Sequence, residues 1–261
     1  MLRMIDLSAI AHKYNFEAIE KWCNDVLHHH CRAGINFLSS CSAADMEALA
    51  DLTSRGNFND ELCQIIQVKW LARLRIRALP ISHALTVGER LCWRDFLGKA
   101  YYEQLCQMRA NHLANVTLDV LNLDKFDLTD KQKYHLLHGS YSLSIFWDNF
   151  AKRRVSTDIG MVCSTHIGSL HRDSCSVNIT KLWDQVFTDL SQAYRAGLLT
   201  GDILNNLSYI AKKIPQISLP GLYCQRPIAK RVERIHDDLT KTMADHFLGP
   251  EPEPPVVCPV N

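Results

Sequence analysis

The sequence predicts an all-α protein of packed antiparallel helices, in two loosely separable halves with an irregular loop carrying cysteine and histidine between them. Apolar residues recur at intervals of three and four through most of the 261 residues, the spacing that places them on one face of a helix. No stretch sustains the alternation of a half-buried strand. With 47% hydrophobic residues, the chain can bury a substantial core.

Charge and composition exclude several classes of partner. Lys and Arg number 29 against 28 Asp and Glu, so the net charge of +1 creates no general attraction to nucleic acid or anionic lipid. No stretch approaches the ~18 apolar residues of a membrane span, and Met1 is not followed by the apolar segment of a secretory signal. We therefore expect a cytoplasmic or nuclear protein with neither a membrane nor a nucleic acid as partner. The ten cysteines include no Cys-x-x-Cys, which favours buried or free thiols.

Two amphipathic helices open the chain between Leu2 and Leu27. Apolar residues follow one helical spacing as far as Tyr14, and the spacing restarts with a different phase at Phe16. We therefore expect the two helices to meet between these residues. The second helix ends in His28, His29 and His30. Adjacent histidines point in different directions around a helix, so a solvated helix end is favoured over a metal site.

Helix caps and the spacing of apolar residues predict the next helices. Ser42 predicts the start of a helix with Met46, Leu49 and Ala50 on its inner face. A later helix runs into residues 69–77, where Lys and Arg interleave with apolar residues. A membrane-binding or calmodulin-target helix is one interpretation, but long basic side chains also lie over apolar neighbours at the edge of a core, and we favour the latter.

Two further helices are expected before residue 154. Thr86 and Glu89 have the spacing of a capping box and predict a helix through Met108. Another begins near Asp130 and closes on 152–154, Lys-Arg-Arg, which suits a helix C-terminus. The triplet is too short to favour a nuclear-localisation or nucleic-acid tract.

The chain divides at an irregular stretch. Residues 155–177 have little periodicity and many Ser, Thr and Gly, so we expect a loop between helical regions 1–154 and 178–249. Asn178 or Thr180 caps the next helix. The last helix should carry an apolar stripe as far as Phe247, and the proline-rich tail 250–261 should be extended or disordered.

One group of residues has the character of metal ligands. Two thiols and two imidazoles are the set that zinc prefers in a closed structural site, and here they lie in the irregular stretch: Cys163, His166, His171 and Cys175. Their spacing is not that of a standard zinc finger. A zinc-stabilised regulatory domain and a loop with buried cysteines both remain open.

No pattern marks an active site. Gly-x-Ser-x-Gly, a Gly-rich phosphate loop and His-Glu-x-x-His are all absent from the sequence. The paired carboxylates Asp237 and Asp238 fall on the polar side of a predicted helix, where solvation is their expected role. The sequence therefore predicts a protein that is not an enzyme, with no cofactor other than a possible zinc ion.

Several segments together resemble a known family. Lys13-Tyr14-Asn15-Phe16, Trp70-Leu71-Ala72, Leu79-Pro80 and Leu85 to Glu89 are similar to the helical, BACK-like region that follows the BTB (POZ) fold in fungal BTB-domain proteins. Cys163, His166 and Cys175 before Trp183 resemble the Cys/His insert of that group. The likeness extends loosely over residues 1 to about 250.

The resemblance implies a non-catalytic protein-protein interaction module, with a protein partner of unknown identity. In that group a BTB core precedes the helices, whereas this sequence begins at Met1 without one. The dimerisation and cullin-ligase adaptor activity of the core are therefore not implied here. We expect the apolar side chains that would rest on such a core to be exposed and to bind a partner: Leu2, Ile5, Leu7 and Ile10.

Overall fold

The described part of the computed structural model contains helices and no strand, which confirms the all-α prediction. The structure describes residues 2–32, 37–54, 60–114, 123–153, 169–196, 202–219 and 224–251, and only the backbone at 2, 60, 110–114 and 169–176. The chain forms two compact units. The first comprises Met1–Gln107 and Leu121–His135, and the second comprises Met108–Val120 and Leu136–Asn261.

The described part of the first unit is built on helices. They are α1 (Leu2–Lys13), α2 (Glu17–Arg32), α3 (Phe37–Ser40), α4 (Ala43–Thr53), α5 (Asp60–Arg75), α6 (Ile81–Arg90), α7 (Arg94–Ala114) as far as Gln107, a 3₁₀ turn (Leu123–Lys125) and the start of α8 (Asp130–Arg153).

Trp70 of α5 lies at the centre of the first unit and is fully buried. Its ring centroid is 5.9 Å from that of Phe96 in α7, and Trp93 meets the same Phe96 edge-on at 5.6 Å. Offset and edge-to-face aromatic pairs of this kind add to the stability gained from burial. The Trp-Leu segment noted in the sequence therefore contributes the main aromatic residue of this core.

The predicted cap of α4 is confirmed. Ser42 Oγ accepts a hydrogen bond from the Asp45 amide at 3.1 Å, and the Asp45 carboxylate accepts one from the Ser42 amide at 2.9 Å. This reciprocal pair satisfies two amides that the helix itself leaves without partners. It fixes the start of α4, whose Met46, Leu49 and Ala50 are buried as the sequence predicts.

The basic segment at the end of α5 lies along the edge of the core. Arg73 is only 8% exposed, and its guanidinium donates to the carbonyl oxygens of Leu38 and Cys41 at 3.3 and 2.6 Å. Arg75 pairs with Glu103 of α7. These two arginines therefore hold helix ends together within the unit, which favours the core-edge interpretation over a free membrane-binding face.

Three turns of the first unit place a residue other than glycine in the left-handed region. Asn15, Arg77 and Cys92 have φ of 57°, 58° and 55°. In each case the following amide bonds back across five residues, for example Trp93 N to Gly88 O at 2.9 Å. This is the Schellman arrangement that ends helices, most often with glycine at the left-handed position.

The expected capping box at Thr86 is wrong. Thr86 lies inside α6, which begins at Ile81 directly after Pro80, and the following turn falls at Leu91–Trp93 instead. Proline suits a helix start because the missing amide hydrogen would have no partner there. Pro80 thus sets the start of α6, and the spacing of Thr86 and Glu89 is coincidental.

In the part that the structure describes, the second unit contains the end of α7 from Met108, the rest of α8 and four later helices. They are α9 (Ser169–Arg195), α10 (Ile203–Lys213), which runs into a 3₁₀ turn (Ile214–Gln216), α11 (Gln225–Lys241) and α12 (Met243–Leu248).

Aromatic rings of α8 and α9 form one centre of the second unit. Trp183 is buried and meets Phe150 edge-to-face, with 6.0 Å between ring centroids. Trp147 stacks on Phe150 at 5.6 Å. Val186 and Leu190 are buried on the same side of α9, so the apolar stripe predicted to start at Trp183 faces inward.

The structure differs from the sequence analysis around residues 155–177. Helix α9 begins at Ser169, before the predicted cap at Asn178 or Thr180. Residues 136–153 before this stretch and 178–251 after it belong to the same unit. Residues 154–168 and the tail 252–261 lie outside the described residues. The division of the chain instead runs through α7 and α8.

The last predicted helix is two helices. Its stripe is buried at Ile228, Val232, Leu239, Met243 and Phe247, but the helix breaks at Thr242. The Thr242 hydroxyl donates to Asp238 O at 2.9 Å, and its amide bonds to the same carbonyl. Threonine bonds of this kind compete with the helical ladder.

We predict that Cys92→Gly stabilises the first unit. Glycine adopts φ near 55° without the steric cost that other residues bear, so the free energy of unfolding should rise by about 1 kcal/mol in urea denaturation. Cys92→Ala is the matched control, because alanine keeps the strain, and it should change stability by less than about 0.5 kcal/mol. Equal effects of the two substitutions would contradict the role given to the backbone.

Candidate interaction surface

The hairpin of α1 and α2 exposes several large apolar side chains. Its turn is fixed by two backbone bonds, Asn15 N to His12 O at 3.2 Å and Phe16 N to Ala11 O at 2.8 Å, with Asn15 in the left-handed region. Asparagine tolerates that conformation better than most residues. The two helices therefore meet at the position that the change of phase predicts.

Polar side chains occupy the interior of this hairpin. The Ser8 hydroxyl of α1 donates to Asn24 Oδ1 of α2 at 3.0 Å, and both residues are buried. His12 Nδ1 lies 3.0 Å from the Glu20 carboxylate, which is also buried. Buried polar groups need partners, so these two bonds fix the register of α1 against α2.

Apolar side chains of α1 point the other way. Leu7 and Ile10 lie about 100° or more around α1 from Ser8 and His12, which contact α2, and Tyr14 follows α1 in the turn. Leu7 is 36% exposed, Ile10 51% and Tyr14 60%. The outer side of α1 therefore exposes apolar side chains to water among the charged residues Arg3, Asp6 and Lys13.

Helix α2 also exposes apolar side chains. Ile19 and Trp22 lie on a different side of α2 from the buried Glu20 and Asn24, and Phe16 directly precedes the helix. Trp22 is 55% exposed and Phe16 is 54% exposed. Tyr14 and Phe16 stack at the turn, with 6.2 Å between ring centroids, and so connect the two sets. We call these six side chains the hairpin patch: Leu7, Ile10, Tyr14, Phe16, Ile19 and Trp22.

The side chains of the hairpin patch are all substantially exposed. Each of its side chains leaves between a third and three fifths of its area in water. Single exposed apolar residues are normal, whereas clusters of exposed apolar residues are often functional. Lys13 lies over the Tyr14 ring, 5.6 Å from its centroid, and borders the patch with charge.

The patch overlaps only in part with the surface expected from the sequence. Leu7 and Ile10 are exposed as expected, but Ile5 is buried, on the same side of α1 as Ser8 and Ala11. The side chain of Leu2 lies outside the described residues. Sequence reasoning placed Tyr14 and Phe16 at the hairpin and missed that they, with Ile19 and Trp22, are exposed.

The candidate zinc ligands fall mostly outside the described part of the chain. Cys163 and His166 lie outside it, and His171 and Cys175 are described by backbone alone, in the first two turns of α9. Residues four apart on a helix share a face. Among the residues whose side chains are described, no group of three potential metal ligands converges.

Three cysteines of the first unit are held as thiols by their surroundings. Burial raises the pKa of Cys31 to about 11, with the nearby Cys41 adding to the effect. Burial also raises the pKa of Cys41 and of Cys23. The thiolate is the reactive form of cysteine, so these three side chains are poor nucleophiles at neutral pH.

Comparison with known proteins adds no relative. No family model matches the chain, and neither a curated protein nor a solved structure matches it significantly.

We predict that Ser8→Ala loosens the hairpin. The substitution leaves buried Asn24 Oδ1 without the Ser8 donor, and the free energy of unfolding should fall by about 1–2 kcal/mol. Ser39→Ala, at an exposed serine of α3, should change it by less than about 0.5 kcal/mol. Urea denaturation of both variants measures the difference, and a Ser8 variant as stable as the Ser39 variant would contradict a structural role for the bond.

Proposed function

We propose that the protein is a non-catalytic protein-protein interaction module and that the hairpin patch is its docking surface. The observation that supports this most strongly is the arrangement of α1 and α2, which buries Ser8 and Asn24 while it exposes the six apolar side chains of the patch. Such an arrangement is costly for an isolated protein in water and is explained by a partner that covers the patch.

The composition of the patch fits protein binding. Half of its residues are aromatic, and Tyr and Trp are among the residues that contribute most to protein-protein affinity when a partner excludes water from them. The Ser8–Asn24 bond and the Schellman turn hold the patch in one arrangement before binding. Little conformational entropy is then lost on association, which favours affinity.

Two further observations favour a protein over a nucleic acid or a membrane as the partner. The net charge of +1 provides no general field for a nucleic acid. No helix in the described ranges is long and apolar enough to cross a membrane. The resemblance to the helical region of fungal BTB-domain proteins agrees with a protein partner, and the partner itself remains to be identified.

We predict that charge on the hairpin patch abolishes partner binding. Phe16→Glu and Trp22→Glu place a carboxylate in the surface that the partner must dehydrate, so affinity should fall by at least about tenfold. Both side chains are already more than half exposed, so the fold should survive, which circular dichroism and the melting temperature will verify. Quantitative affinity purification from the cells that produce the protein, followed by titration of the purified partner, measures the effect.

Val68→Glu is the matched control for these variants. Val68 is 64% exposed on α5, in the same unit but outside the hairpin patch. Its variant should retain the partner at wild-type affinity. A partner set that is identical for wild type, Phe16→Glu and Trp22→Glu would contradict the proposed docking surface, as would measured turnover of a small substrate without any protein partner.

A zinc-stabilised regulatory domain is the second candidate. One observation supports it: α9 begins at Ser169, so residues 171 and 175 are four positions apart within one helix, a spacing that suits two ligands of the same ion. With Cys163 and His166 they would supply two thiolates and two imidazoles, a set suited to a structural zinc ion.

The zinc proposal predicts stoichiometric metal in the purified protein. Elemental analysis should find zinc in the wild type and in Cys92→Ser, whose thiol is exposed and distant in sequence from the ligand set. The double variant His171→Ala, Cys175→Ala should contain none and should melt at a lower temperature, since metal affinity adds to folding free energy. Wild-type protein that contains no zinc, and that melts at the same temperature with and without chelator, contradicts it.

A further inference from the structure

A second group of exposed apolar side chains runs along α8. Its members share one face of the helix: Tyr134, Leu137, Tyr141 and Ile145. Tyr141 is 70% exposed, and Leu137 and Ile145 are each 43% exposed. Buried residues of α8 lie between about 140° and 180° around the helix from Tyr141: Leu136, Gly139, Leu143 and Phe150. Helix α8 therefore has one set of apolar side chains in the core and a second set in water.

Neighbouring helices border the exposed side of α8 without covering its middle. On one flank, His138 Nδ1 donates to the His246 carbonyl oxygen of α12 at 2.9 Å. On the other flank, the Arg109 guanidinium of α7 donates to the Ser144 hydroxyl oxygen at 3.5 Å. Tyr141 lies between these two contacts and is the most exposed residue of the group. The middle of α8 is therefore accessible to a helix of another molecule.

The residues on this face are self-complementary about Tyr141. The residues four positions to either side of it are both apolar, Leu137 and Ile145. The residues eleven positions to either side carry opposite charges, Asp130 and Lys152, and both are exposed. Spacings of four and eleven residues return to the same side of an α-helix, so all of these side chains share one face.

The residues seven positions from Tyr141 extend the same pattern. They are Tyr134 and Asp148, a phenol that can donate a hydrogen bond and a carboxylate that can accept one. All six flanking residues lie within about 40° of Tyr141 around the helix. A two-fold axis perpendicular to α8 at Tyr141 would therefore place each of them opposite its complement on a second copy of the helix.

We propose that α8 binds α8 of a second copy of this chain in antiparallel orientation, about a two-fold axis beside Tyr141. In this arrangement the two Tyr141 rings meet, and Leu137 of each copy faces Ile145 of the other. Asp130 of each copy faces Lys152 of the other. A parallel pair would instead place equal charges side by side at both ends of the helix, so the charges favour the antiparallel arrangement.

The size of the surface sets the expected affinity. Stable dimers bury about 1,600 Å², whereas a contact along one helix is smaller, so the dimer should form and dissociate at micromolar concentrations. The exposed faces of α8 and of the hairpin patch involve different residues. The dimer therefore does not depend on the function proposed for the hairpin patch, and substitutions on α8 test it separately.

Sedimentation equilibrium of the full chain between about 1 and about 100 μM tests the dimer. The wild type should change from monomer to dimer over this range. Tyr141→Glu should weaken dimerisation by at least about tenfold, because the two-fold axis brings both introduced carboxylates together. Val177→Glu is the matched control: Val177 is 58% exposed on α9, outside the proposed contact, and its variant should dimerise as the wild type does.

Exchange of the end charges tests the antiparallel orientation. Asp130→Lys and Lys152→Asp should each weaken dimerisation of the variant with itself by about threefold or more at low ionic strength, because each creates two like-charge contacts. An equal mixture of the two variants should recover wild-type affinity, since both contacts of the mixed dimer then join opposite charges. The double variant Asp130→Lys, Lys152→Asp should recover it as well.

Circular dichroism and the melting temperature verify that each variant is folded. A wild type that stays monomeric at every concentration would overturn the proposal, and so would a dimer that Tyr141→Glu leaves intact. A mixture of Asp130→Lys and Lys152→Asp that associates no better than either variant alone would also contradict it.

Discussion

The hydrogen bond between Ser8 and Asn24 is the constraint on which the candidate surface depends. A buried hydroxyl and a buried amide must face each other, so α1 and α2 can pack in only one rotational setting. In that setting Leu7, Ile10 and Tyr14 are exposed. The hairpin thus has apolar side chains both inside and outside, together with a buried polar pair.

Buried residues of the hairpin and of the rest of the first unit offset the unfavourable exposure of these apolar side chains. Ile5, Ala11, Cys23 and Leu27 of the hairpin are buried, and the unit has its own aromatic centre around Trp70. Because that core and the Schellman turn at Asn15 hold the hairpin in place, the exposed side chains need not contribute to folding. They are free to serve binding, as exposed aromatic residues in rigid elements commonly do.

Much of the fold could be predicted from apolar spacing and caps. The spacing identified the hairpin, the stripe of α9 and the buried residues of α11, and Ser42 marked the start of α4. When a helix has two apolar faces, however, spacing cannot decide which of them is buried. Helix α1 has two such faces, one with Ile5 and Ala11 and one with Leu7 and Ile10. The burial of Ser8 and Asn24 decides which face of α1 is buried, and it depends on a contact between residues 16 positions apart.

Other features had no local sequence pattern or a misleading one. The Thr86 capping box was overridden by Pro80, which begins α6 five residues earlier. Residues 169–177 contain few apolar side chains, so nothing in their spacing marked the start of α9. The contact of His246 with His138 joins residues more than 100 positions apart, and single histidines carry no pattern that would pair them.

The central claim is that the hairpin patch is open in the isolated protein and covered in its complex. Hydroxyl-radical footprinting of Tyr14, Phe16 and Trp22 measures this directly, with buried Trp70 and Trp183 as internal references for folding. The account predicts rapid oxidation of the three patch residues in the purified chain and strong protection when the partner is bound. Slow oxidation in the purified chain, or unchanged oxidation in the complex, would contradict it.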